Sequence, residues 1–402
     1  MVPKGWIKAP VQDFGHVSAG RQRSPNFTKG TLRPYLRVAN VFENYIDTTD
    51  VNEMMFTESE YQRYKLDIGD ILLNEGQSTE LVGRPAMYVG YPENCCFQNT
   101  LVRFKADHDK VDASYALQRF LLCLYDGTFQ AISKKTTSIA HLGVSRFAEL
   151  NLLWPPLVEQ QKITQILSTW DKAISTTEKL LENSQQQKKA LMQELLTGKK
   201  RVFDENGRSF SDTWKTYKLG QLFNERVEMG RYDLPLLSIT ADDGVVYQEE
   251  TGRKNTSNED KSKYRRICVN DIGYNTMRMW QGRSSLSDKD GIVSPAYTII
   301  IPSEKIVPRF AAYLFKLPKL VHVFYRHSQG LVSDTWNLKF SHFKEISWSF
   351  PCVEEQQKIA EVLSTADQEI DTLQKKLECL KQEKKALMQQ LLTGKKRVKV
   401  AV

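Results

Sequence analysis

The sequence repeats part of itself at a constant offset of 196 residues. Residues 155–202 and 351–398 are identical at about 30 of about 48 aligned positions, whereas the segments that precede the two copies match each other poorly. Such a pattern predicts two units with one frame, each a variable globular segment followed by a near-invariant block. The predicted divisions are 1–154, 155–202, 203–350 (with a polar, turn-rich linker at 203–213) and 351–402.

Each repeated block is predicted to form one long helix. Apolar residues recur at alternating spacings of four and three, which is the pattern of a coiled-coil seam. Prolines precede each block, and Gly198 and Gly394 stand where a helix would end. The predicted seam and subunit-interface residues are Ile163, Leu167, Trp170, Ile174, Leu181 and Leu191 in the first copy, and Ile359, Leu363, Ile370, Leu373, Leu377, Leu380 and Leu387 in the second.

A helix with an apolar seam needs a partner that buries it. The other copy is the natural partner, since a globular segment between the copies allows antiparallel pairing within the chain. We therefore predict an α+β fold, with two mixed α/β domains in a pseudo-repeat, separated by two long helices that form an antiparallel coiled coil. The alternative is that each helix packs on its own domain. Within the domains, strands are predicted at 35–41, 71–74, 85–89, 101–104, 236–240 and 296–301, and helices at 113–125 and 308–326.

Composition narrows the class of protein. The net charge of +8 is only mildly basic, and residues 1–150 carry no net charge, so a nucleic-acid surface would depend on the arrangement of charges. The six cysteines are scattered without a C-x-x-C pair, which predicts reduced thiols and no metal site. No apolar run approaches the roughly 18–20 residues that span a bilayer. A cytoplasmic protein without a membrane partner is expected.

The sequence offers little for catalysis. Gly198-Lys199-Lys200 lacks the upstream glycine and the hydroxyl of a phosphate-binding P-loop. Residues 294–297 resemble a base-binding methyltransferase loop only distantly, and the sequence lacks the glycine-rich cofactor loop that such an enzyme needs. Asp243 with residues 259–261 fits a nuclease motif loosely and is better explained as a solvated loop. We predict no catalytic residue and no cofactor bound by this chain.

Loops of both units do carry side chains suited to nucleic acid. Arginine reads guanine, glutamine and asparagine read adenine, and lysine and hydroxyl groups hold phosphate. An ordinary solvated loop explains any one of these residues, but their placement in corresponding loops of both units favours DNA binding. The candidates are Arg21, Arg23, Gln77, Arg84, Lys134, Lys135, Thr136 and Thr137 in the first unit, and Arg265, Arg266, Arg278, Gln281, Arg283 and Ser333 in the second.

The repeated block closely resembles that of the specificity (S) subunit of type I restriction–modification systems. Proline, Glu-Gln-Gln-Lys-Ile, Leu-Ser-Thr, Lys-Lys-Ala-Leu-Met-Gln and Leu-Leu-Thr-Gly-Lys-Lys-Arg-Val occur in that order, twice, around two dissimilar globular segments. The resemblance covers the whole chain in the order variable, conserved, variable, conserved.

The resemblance implies a non-catalytic DNA-recognition subunit. Each globular segment would be a target recognition domain that reads one half of a split, asymmetric sequence in double-stranded DNA, and the coiled coil would set the spacer. Two modification subunits would bring S-adenosylmethionine, and restriction subunits would bring the ATP-driven motor and the Mg-dependent nuclease. Two other classes of function stay open from the residues alone: a coiled-coil scaffold without DNA reading, and an autonomous enzyme.

Overall fold

Each half of the fold draws on both copies of the repeated block. The computed structural model describes residues 2–24, 28–136, 138–240, 244–252, 259–331 and 335–399. Unit 1 comprises Met1–Glu178 and Lys375–Val402, and unit 2 comprises Lys179–Gln374. The boundary between the units therefore falls inside both long helices, so each unit contains one globular domain and a segment of each helix.

Unit 1 combines short strands with helices. Its strands are β1 (Ile7–Pro10), β2 (Gly15–Ala19), β3 (Thr31–Leu36), β4 (Val41–Phe42), β5 (Tyr45–Ile46), β6 (Asn52–Phe56), β7 (Ile71–Asn74), β8 (Gly76–Gln77), β9 (Pro85–Met87), β10 (Cys96–Phe97), β11 (Leu101–Ala106), β12 (Lys134–Lys135), β13 (Ala140–His141) and β14 (Asn151–Trp154). Its helices are α1 (Glu58–Tyr64), α2 (Ala113–Tyr125), α3 (Thr128–Ile132), α4 (Val144–Ala148) and the start of α5 (Leu157–Leu195).

A central antiparallel sheet with the order β2-β11-β7-β9 organises this domain. Ile71 and Leu73 on one face of β7 pack in a core with Phe120 of α2. Leu72 on the other face packs with Leu36 at the end of β3. Because both faces of the sheet are covered, β7 is a continuous apolar run and not an alternating one.

Unit 2 repeats this plan. Its strands are β15 (Lys215–Lys218), β16 (Phe223–Glu225), β17 (Leu237–Ile239), β18 (Val245–Tyr247), β19 (Arg265–Ile267), β20 (Ile272–Asn275), β21 (Ser284–Leu286), β22 (Gly291–Val293), β23 (Tyr297–Pro302) and β24 (Ser347–Phe350). Its helices are α6 (Pro308–Leu314), α7 (Pro318–His327), α8 (Phe340–Phe343) and the start of α9 (Val353–Leu391).

The central sheet of unit 2 has the order β16-β23-β20-β21, which matches unit 1 strand for strand. The antiparallel pair β15–β24 likewise matches the pair β1–β14. The units differ in the layer that covers the second face of the sheet. Unit 1 uses the sheet β10-β3-β6 there, whereas unit 2 uses the pairs β17–β18 and β19–β22.

The two long helices have the predicted extent. α5 and α9 begin two residues after Pro155 and Pro351, and Gly198 and Gly394 follow their ends with left-handed φ values of +69° and +72°. In unit 1, Lys381 of α9 pairs with Glu178 of α5 at 2.7 Å. The next ion pair further along α9 is made with a residue that lies earlier in α5. The helix segments are therefore antiparallel.

The predicted seam residues are all buried or half-buried. Ile163 and Leu167 belong to the core of unit 1, and Ile359 and Leu363 belong to the core of unit 2. The start of each helix therefore packs on the domain that precedes it, which is the alternative arrangement considered above. Later turns of each helix pair with the other helix. The predicted fold class is confirmed.

Polar residues in the seam form ion pairs between the helices. In unit 1, Lys384 of α9 donates to Asp171 of α5 at 2.6 Å. In unit 2, Lys188 of α5 pairs with Asp367 of α9. A charged group in a seam favours one register, because any other register leaves it unpaired. A side chain from the globular domain also donates to each aspartate, Gln118 to Asp171 at 3.0 Å and Tyr313 to Asp367 at 2.6 Å.

A buried carboxylate at the start of α5 joins three segments of unit 1. Glu159 accepts a hydrogen bond from the indole N–H of Trp6 at 3.0 Å. Its two oxygens also accept from Nε and Nη2 of Arg397, both at 2.7 Å. The carboxylate raises the pKa of the Arg397 guanidinium. We call this arrangement the helix-start clasp.

Unit 2 contains the same clasp with residues from the other copy. Glu355, fully buried, accepts from Trp214 at 3.2 Å and from Arg201 at 2.6 and 2.7 Å. A bidentate arginine offsets part of the cost of burying a carboxylate. Each clasp therefore joins the start of one long helix to the residues that follow the other.

The glutamine after each clasp carboxylate fixes the adjoining domain. Gln160 accepts from the backbone N–H of Asp112, which is the N-cap of α2, at 2.9 Å. Gln356 accepts from the backbone N–H of Val307, the N-cap of α6, at 2.8 Å. Both amide groups also donate to backbone carbonyls. The Glu-Gln pair of the repeat is thus conserved between the copies because it makes the same contacts twice.

Two predictions of secondary structure were wrong by more than two residues in extent. The helix predicted at 308–326 is two helices, α6 and α7, because Pro318 cannot continue a helix and instead begins the second one. The strand predicted at 35–41 ends at Leu36, and a turn around Asn40 follows it. The helix predicted at 113–125 and the strand predicted at 71–74 have those bounds in the structure.

Candidate nucleic-acid interface

Two loops meet at one end of the central sheet in unit 1. The strand loop, residues 75–84, joins β7 to β9, and the helix loop, residues 133–143, lies between α3 and α4. The backbone N–H of Leu142 donates to the carbonyl of Glu75 at 2.8 Å. The short strands β12, β13 and β8 join the loops into one small sheet. The two loops therefore form a single surface.

Unit 2 joins the corresponding loops in the same way. Its strand loop, residues 276–283, joins β20 to β21, and its helix loop, residues 328–339, lies between α7 and α8. The N–H of Leu338 donates to the carbonyl of Thr276 at 2.8 Å. Leu142 and Leu338 are separated by the repeat offset of 196 residues. Only some of the predicted DNA-binding residues lie in these loops, and their role stays a prediction. The described ones are Gln77, Arg84, Lys134, Lys135 and Thr136 in unit 1, and Arg278, Gln281 and Arg283 in unit 2.

A glycine near the end of each strand loop allows the loop to close. Gly83 has a φ of +76° and Gly282 has a φ of +74°, a conformation that side chains with a Cβ rarely adopt. A Cβ at Gly83 would also lie 2.5 Å from the ring of Phe129. Each loop is therefore held close against the helix layer.

Unit 1 brings hydrogen-bonding side chains together on this surface. Lys134 and Lys135 on β12 and Thr136 after it are exposed, and Gln77 on β8 is half-buried. Neither lysine forms an ion pair within the described part of the chain. Thr137 lies outside the described residues. The two lysines present ammonium groups and Gln77 presents an amide at this surface, while the Thr136 hydroxyl donates to the carbonyl of Ile139 at 2.9 Å and the Gln77 side-chain carbonyl accepts from the N–H of Ser78 at 3.1 Å.

Unit 2 places arginines at the corresponding position. Arg278, Gln281 and Arg283 in the strand loop are all exposed. In the residues that the structure covers, neither arginine has a carboxylate partner within 4 Å. Ser333 lies outside the described residues. The strand loop of unit 2 therefore carries two guanidinium groups that are available to an external acceptor.

Two arginines of unit 1 are engaged inside the domain. Arg21 is buried, pairs with Glu60 at 2.7 Å and lies over the ring of Phe56. Arg84 is half-buried and lies over the ring of Phe42 at 4.7 Å, and burial lowers the pKa of its guanidinium. Their contacts point to a structural role more than to DNA reading.

The other predicted arginines lie outside the loops. Arg265 on β19 pairs with Glu225 at 2.7 Å. Arg266 pairs with Asp290 at 2.7 Å, and this carboxylate raises the pKa of the Arg266 guanidinium. Arg23 is exposed shortly after β2. As DNA-binding residues these three stay predictions.

An aromatic cluster that we did not predict lies beside the loops of unit 2. Trp280 in the strand loop, Trp336 in the helix loop and Tyr325 on α7 are in contact with one another through Trp336. Arg326 on the same helix is exposed. The signal was present in the amphipathic pattern of α7, whose outward face is aromatic and basic. Because we predicted one continuous helix over 308–326, we did not recognise the outward face of α7.

Across the residues for which the structure gives positions, no group of three histidine, cysteine or acidic side chains could hold a metal ion. No helix in that part of the chain is both long enough and apolar enough to cross a bilayer.

A family model for the type I restriction modification DNA specificity domain matches residues 3–183 and 211–382, which is most of the chain. The chain belongs to this family. Each matched segment contains one globular domain, its loop pair and the start of the long helix that follows.

Two relatives from Methanocaldococcus jannaschii match over nearly their full length. A type I restriction enzyme specificity subunit named MjaVIII is 24% identical, over 99% of this chain and 94% of the relative. A second one, named MjaX, is 26% identical, over 99% of this chain and 95% of the relative. The family frame therefore extends across both repeats.

Solved structures share the fold. The HsdS subunit from Thermoanaerobacter tengcongensis has a TM-score of 0.51 at 15% identity, with 98% of each chain covered. The S subunit of a type I restriction–modification system from M. genitalium has a TM-score of 0.54 at 15% identity, with 96% of each chain covered. At such low identity these structures support the fold alone.

Proposed function

We propose that this chain, a DNA specificity protein of the type I restriction–modification family, reads a bipartite DNA site with one unit per half. The observation that carries the proposal is the loop pair. Both units join the two loops with an equivalent backbone hydrogen bond and fill them with different side chains. A shared frame with different content suits two readers that perform one task on two sequences.

The side chains of the loops fit base recognition. Exposed Arg278 and Arg283 suit bidentate bonds to guanine, and Gln77 and Gln281 suit adenine. Lys134 and Lys135 suit phosphate contacts, which position a protein on DNA. Because residues 1–150 carry no net charge, we infer that partner subunits supply part of the grip on the phosphates.

The long helices are proposed to set the spacer between the half-sites and to bind two modification subunits. In this proposal the chain is not a catalyst and binds no cofactor. S-adenosylmethionine belongs to the modification subunits, and Mg and ATP belong to the restriction subunits. The purified chain alone is expected to leave DNA unmethylated, and addition of the modification subunit is expected to produce methylation at both half-sites.

The first experiment exchanges residues 1–150 for those of a relative with another specificity. The chimera is expressed with its modification subunit, and methylated adenines are mapped by single-molecule sequencing. One half of the methylated motif should change and the other half should stay. Changes in both halves would refute modular reading, and methylation that does not depend on this chain would favour a scaffold.

A second experiment inserts four residues, about one helical turn, after Lys179. The spacer of the methylated motif should change in length while both half-site sequences stay the same. Four residues inserted after Gly207, in the exposed turn of the linker, form the control and should leave the spacer unchanged. An unaltered spacer in the helix variant would contradict the role of the helices.

A further inference from the structure

The aromatic cluster of unit 2 joins three segments that surround the loop pair. The ring centroids of Trp280 and Trp336 lie 5.2 Å apart at 83°, and those of Tyr325 and Trp336 lie 4.8 Å apart at 72°. His322 stacks on Tyr325 with centroids 5.8 Å apart. The strand loop, the helix loop and α7 therefore present one continuous aromatic surface.

This surface is not part of the hydrophobic core. α7 buries Leu320 and Phe324 on its inward face. Tyr325 is 40% exposed, and His322 is exposed beside it. Trp280 and Trp336 are half-buried. An exposed aromatic face has an unfavourable free energy of hydration unless a ligand covers it. Planar rings suit a planar ligand.

Positive charge surrounds the aromatic surface. Arg278 and Arg283 lie in the same strand loop as Trp280, and Arg326 follows Tyr325 on α7. All three are exposed, and the described residues give none of them a carboxylate partner. Rings with guanidinium groups at their border match a nucleobase attached to its phosphates.

The corresponding loops of unit 1 have no such surface. Residues 75–84 and 133–143 contain no tryptophan, tyrosine or phenylalanine. The aromatic cluster is therefore not required by the frame that the two units share. The aromatic cluster is one of the features by which unit 2 differs from unit 1.

We propose that Tyr325, supported by Trp336 and Trp280, stacks on a nucleobase that is displaced from the helical stack in the half-site read by unit 2. The inference rests on the proposed function, since it concerns how that half-site is held. In this proposal unit 2 combines base contacts with a local distortion of the duplex, for which the loop pair of unit 1 offers no aromatic side chain. Sequences that unstack easily are therefore favoured at that position.

The test is a double-mutant cycle between protein and DNA. The complex of this chain with its modification subunits binds duplexes that carry the methylated motif, at fixed salt. Abasic sites replace the bases of each half-site one at a time. Tyr325→Leu removes the ring and Tyr325→Phe keeps it. Tyr45→Leu, at an exposed tyrosine of unit 1 outside the loops, is the matched control.

Tyr325→Leu should weaken binding of the intact site by about 10-fold to 100-fold, as expected for loss of one stacked base. Tyr325→Phe and Tyr45→Leu should bind within about twofold of the parent. At one position in the half-site of unit 2, an abasic site should remove the difference between Tyr325→Leu and the parent.

Equal binding by Tyr325→Leu and the parent, or a difference that survives at every abasic position, would overturn the stacking proposal while the bipartite reading stands. A parent complex that binds the motif no better than unrelated DNA would overturn the proposed function itself. Thermal unfolding of each variant distinguishes a folding defect, and Tyr325→Phe keeps the test informative if Tyr325→Leu unfolds.

Discussion

Unit 1 and unit 2 hold their helices with the same side chains and fill their loops with different ones. The clasps Trp6–Glu159–Arg397 and Trp214–Glu355–Arg201 are equivalent contact for contact. The loop pairs contrast lysine and glutamine in unit 1 with arginine and tryptophan in unit 2. Sequence identity within this chain therefore follows the contacts that must be made twice, and sequence divergence follows the loop surface that we propose recognises DNA.

The largest expected effect tests whether the clasps are equally strong. Arg201→Ala leaves Glu355 fully buried without a counter-charge and should destabilise unit 2 by about 3–5 kcal/mol. Arg397→Ala should cost unit 1 less, because the Arg397 side chain is 43% exposed and that of Arg201 is 22% exposed. Hydrogen exchange resolved by unit measures both.

Arg208→Ala, at an exposed position in the linker, is the matched control for the clasp variants and should change neither unit. Equal losses at Arg201 and Arg397 would show that exposure does not decide the strength of the clasp. A loss that spreads equally to the other unit would show that the units do not unfold separately.

A second comparison concerns the ion pairs in the seam. Lys384→Ala should cost ~3 kcal/mol, because the lysine side chain is 9% exposed and Asp171 loses its counter-charge. Lys188→Ala should cost only ~1 kcal/mol, because that lysine is 24% exposed. Denaturant unfolding measures both. Replacing the first pair with Lys384→Met and Asp171→Leu together should recover most of the loss, and failure to recover would contradict a pairing role.

Alkaline pH should separate the units. Burial raises the pKa of the Cys95 and Cys96 thiols of unit 1 to about 12, from an ordinary value of 9.0. Their contribution is complete below pH 9 and is lost as the pH rises toward 12, because only the unfolded chain releases the protons. At pH 10 each thiol should cost unit 1 about 1.4 kcal/mol.

Unfolding at pH 7 and pH 10, followed separately for each unit, checks this expectation. Cys96→Ala should reduce the loss in unit 1 between the two pH values. Unit 2 should lose less stability through its thiols, since Cys268 and Cys352 are only half-buried. A steeper loss in unit 2 would show that groups other than the thiols control the alkaline limit.

The smallest expected effect concerns phosphate contacts in unit 1. Lys134→Ala and Lys135→Ala should each lower the salt dependence of DNA binding, with the slope of log affinity against log salt reduced by about one. Gln281→Ala in unit 2 should leave the slope unchanged and relax the preference at one base pair. Binding by the full complex at several salt concentrations measures both. An unchanged slope in the lysine variants would remove β12 from the DNA surface.

The repeat made the helices predictable, because spacing, prolines and glycines are local signals. α2 was predictable for the same reason, and Asp112 caps its first turn. The clasps were not, because they join residues 238 positions apart in unit 1 and 154 apart in unit 2. A signal existed in the identical Glu-Gln pair and in the correspondence of Trp6 with Trp214. Those residues lie outside the apolar seam, so the apolar spacing that predicts the helices does not indicate their contacts.

The position of the candidate site was predictable at the level of loops and not of side chains. The loops around Gln77 and Arg278 were identified from composition, and the structure brings each into contact with its helix loop. Arg21 had equal merit in the sequence, yet its guanidinium is engaged with Glu60 inside the domain. Whether an arginine faces a carboxylate or solvent depends on tertiary packing, which no local pattern records.

Unit 1 is built from two separate parts of the chain, and this has a consequence for biosynthesis. Unit 2 consists of consecutive residues, whereas unit 1 needs residues 375–397, which leave the ribosome after all of unit 2. The second domain in the chain can therefore complete its fold first, and the first domain waits with Glu159 lacking its arginine partner until Arg397 has been made. A nascent chain interrupted in between would carry one finished reader and one unfinished reader, so that proteolysis could remove it before it reached DNA.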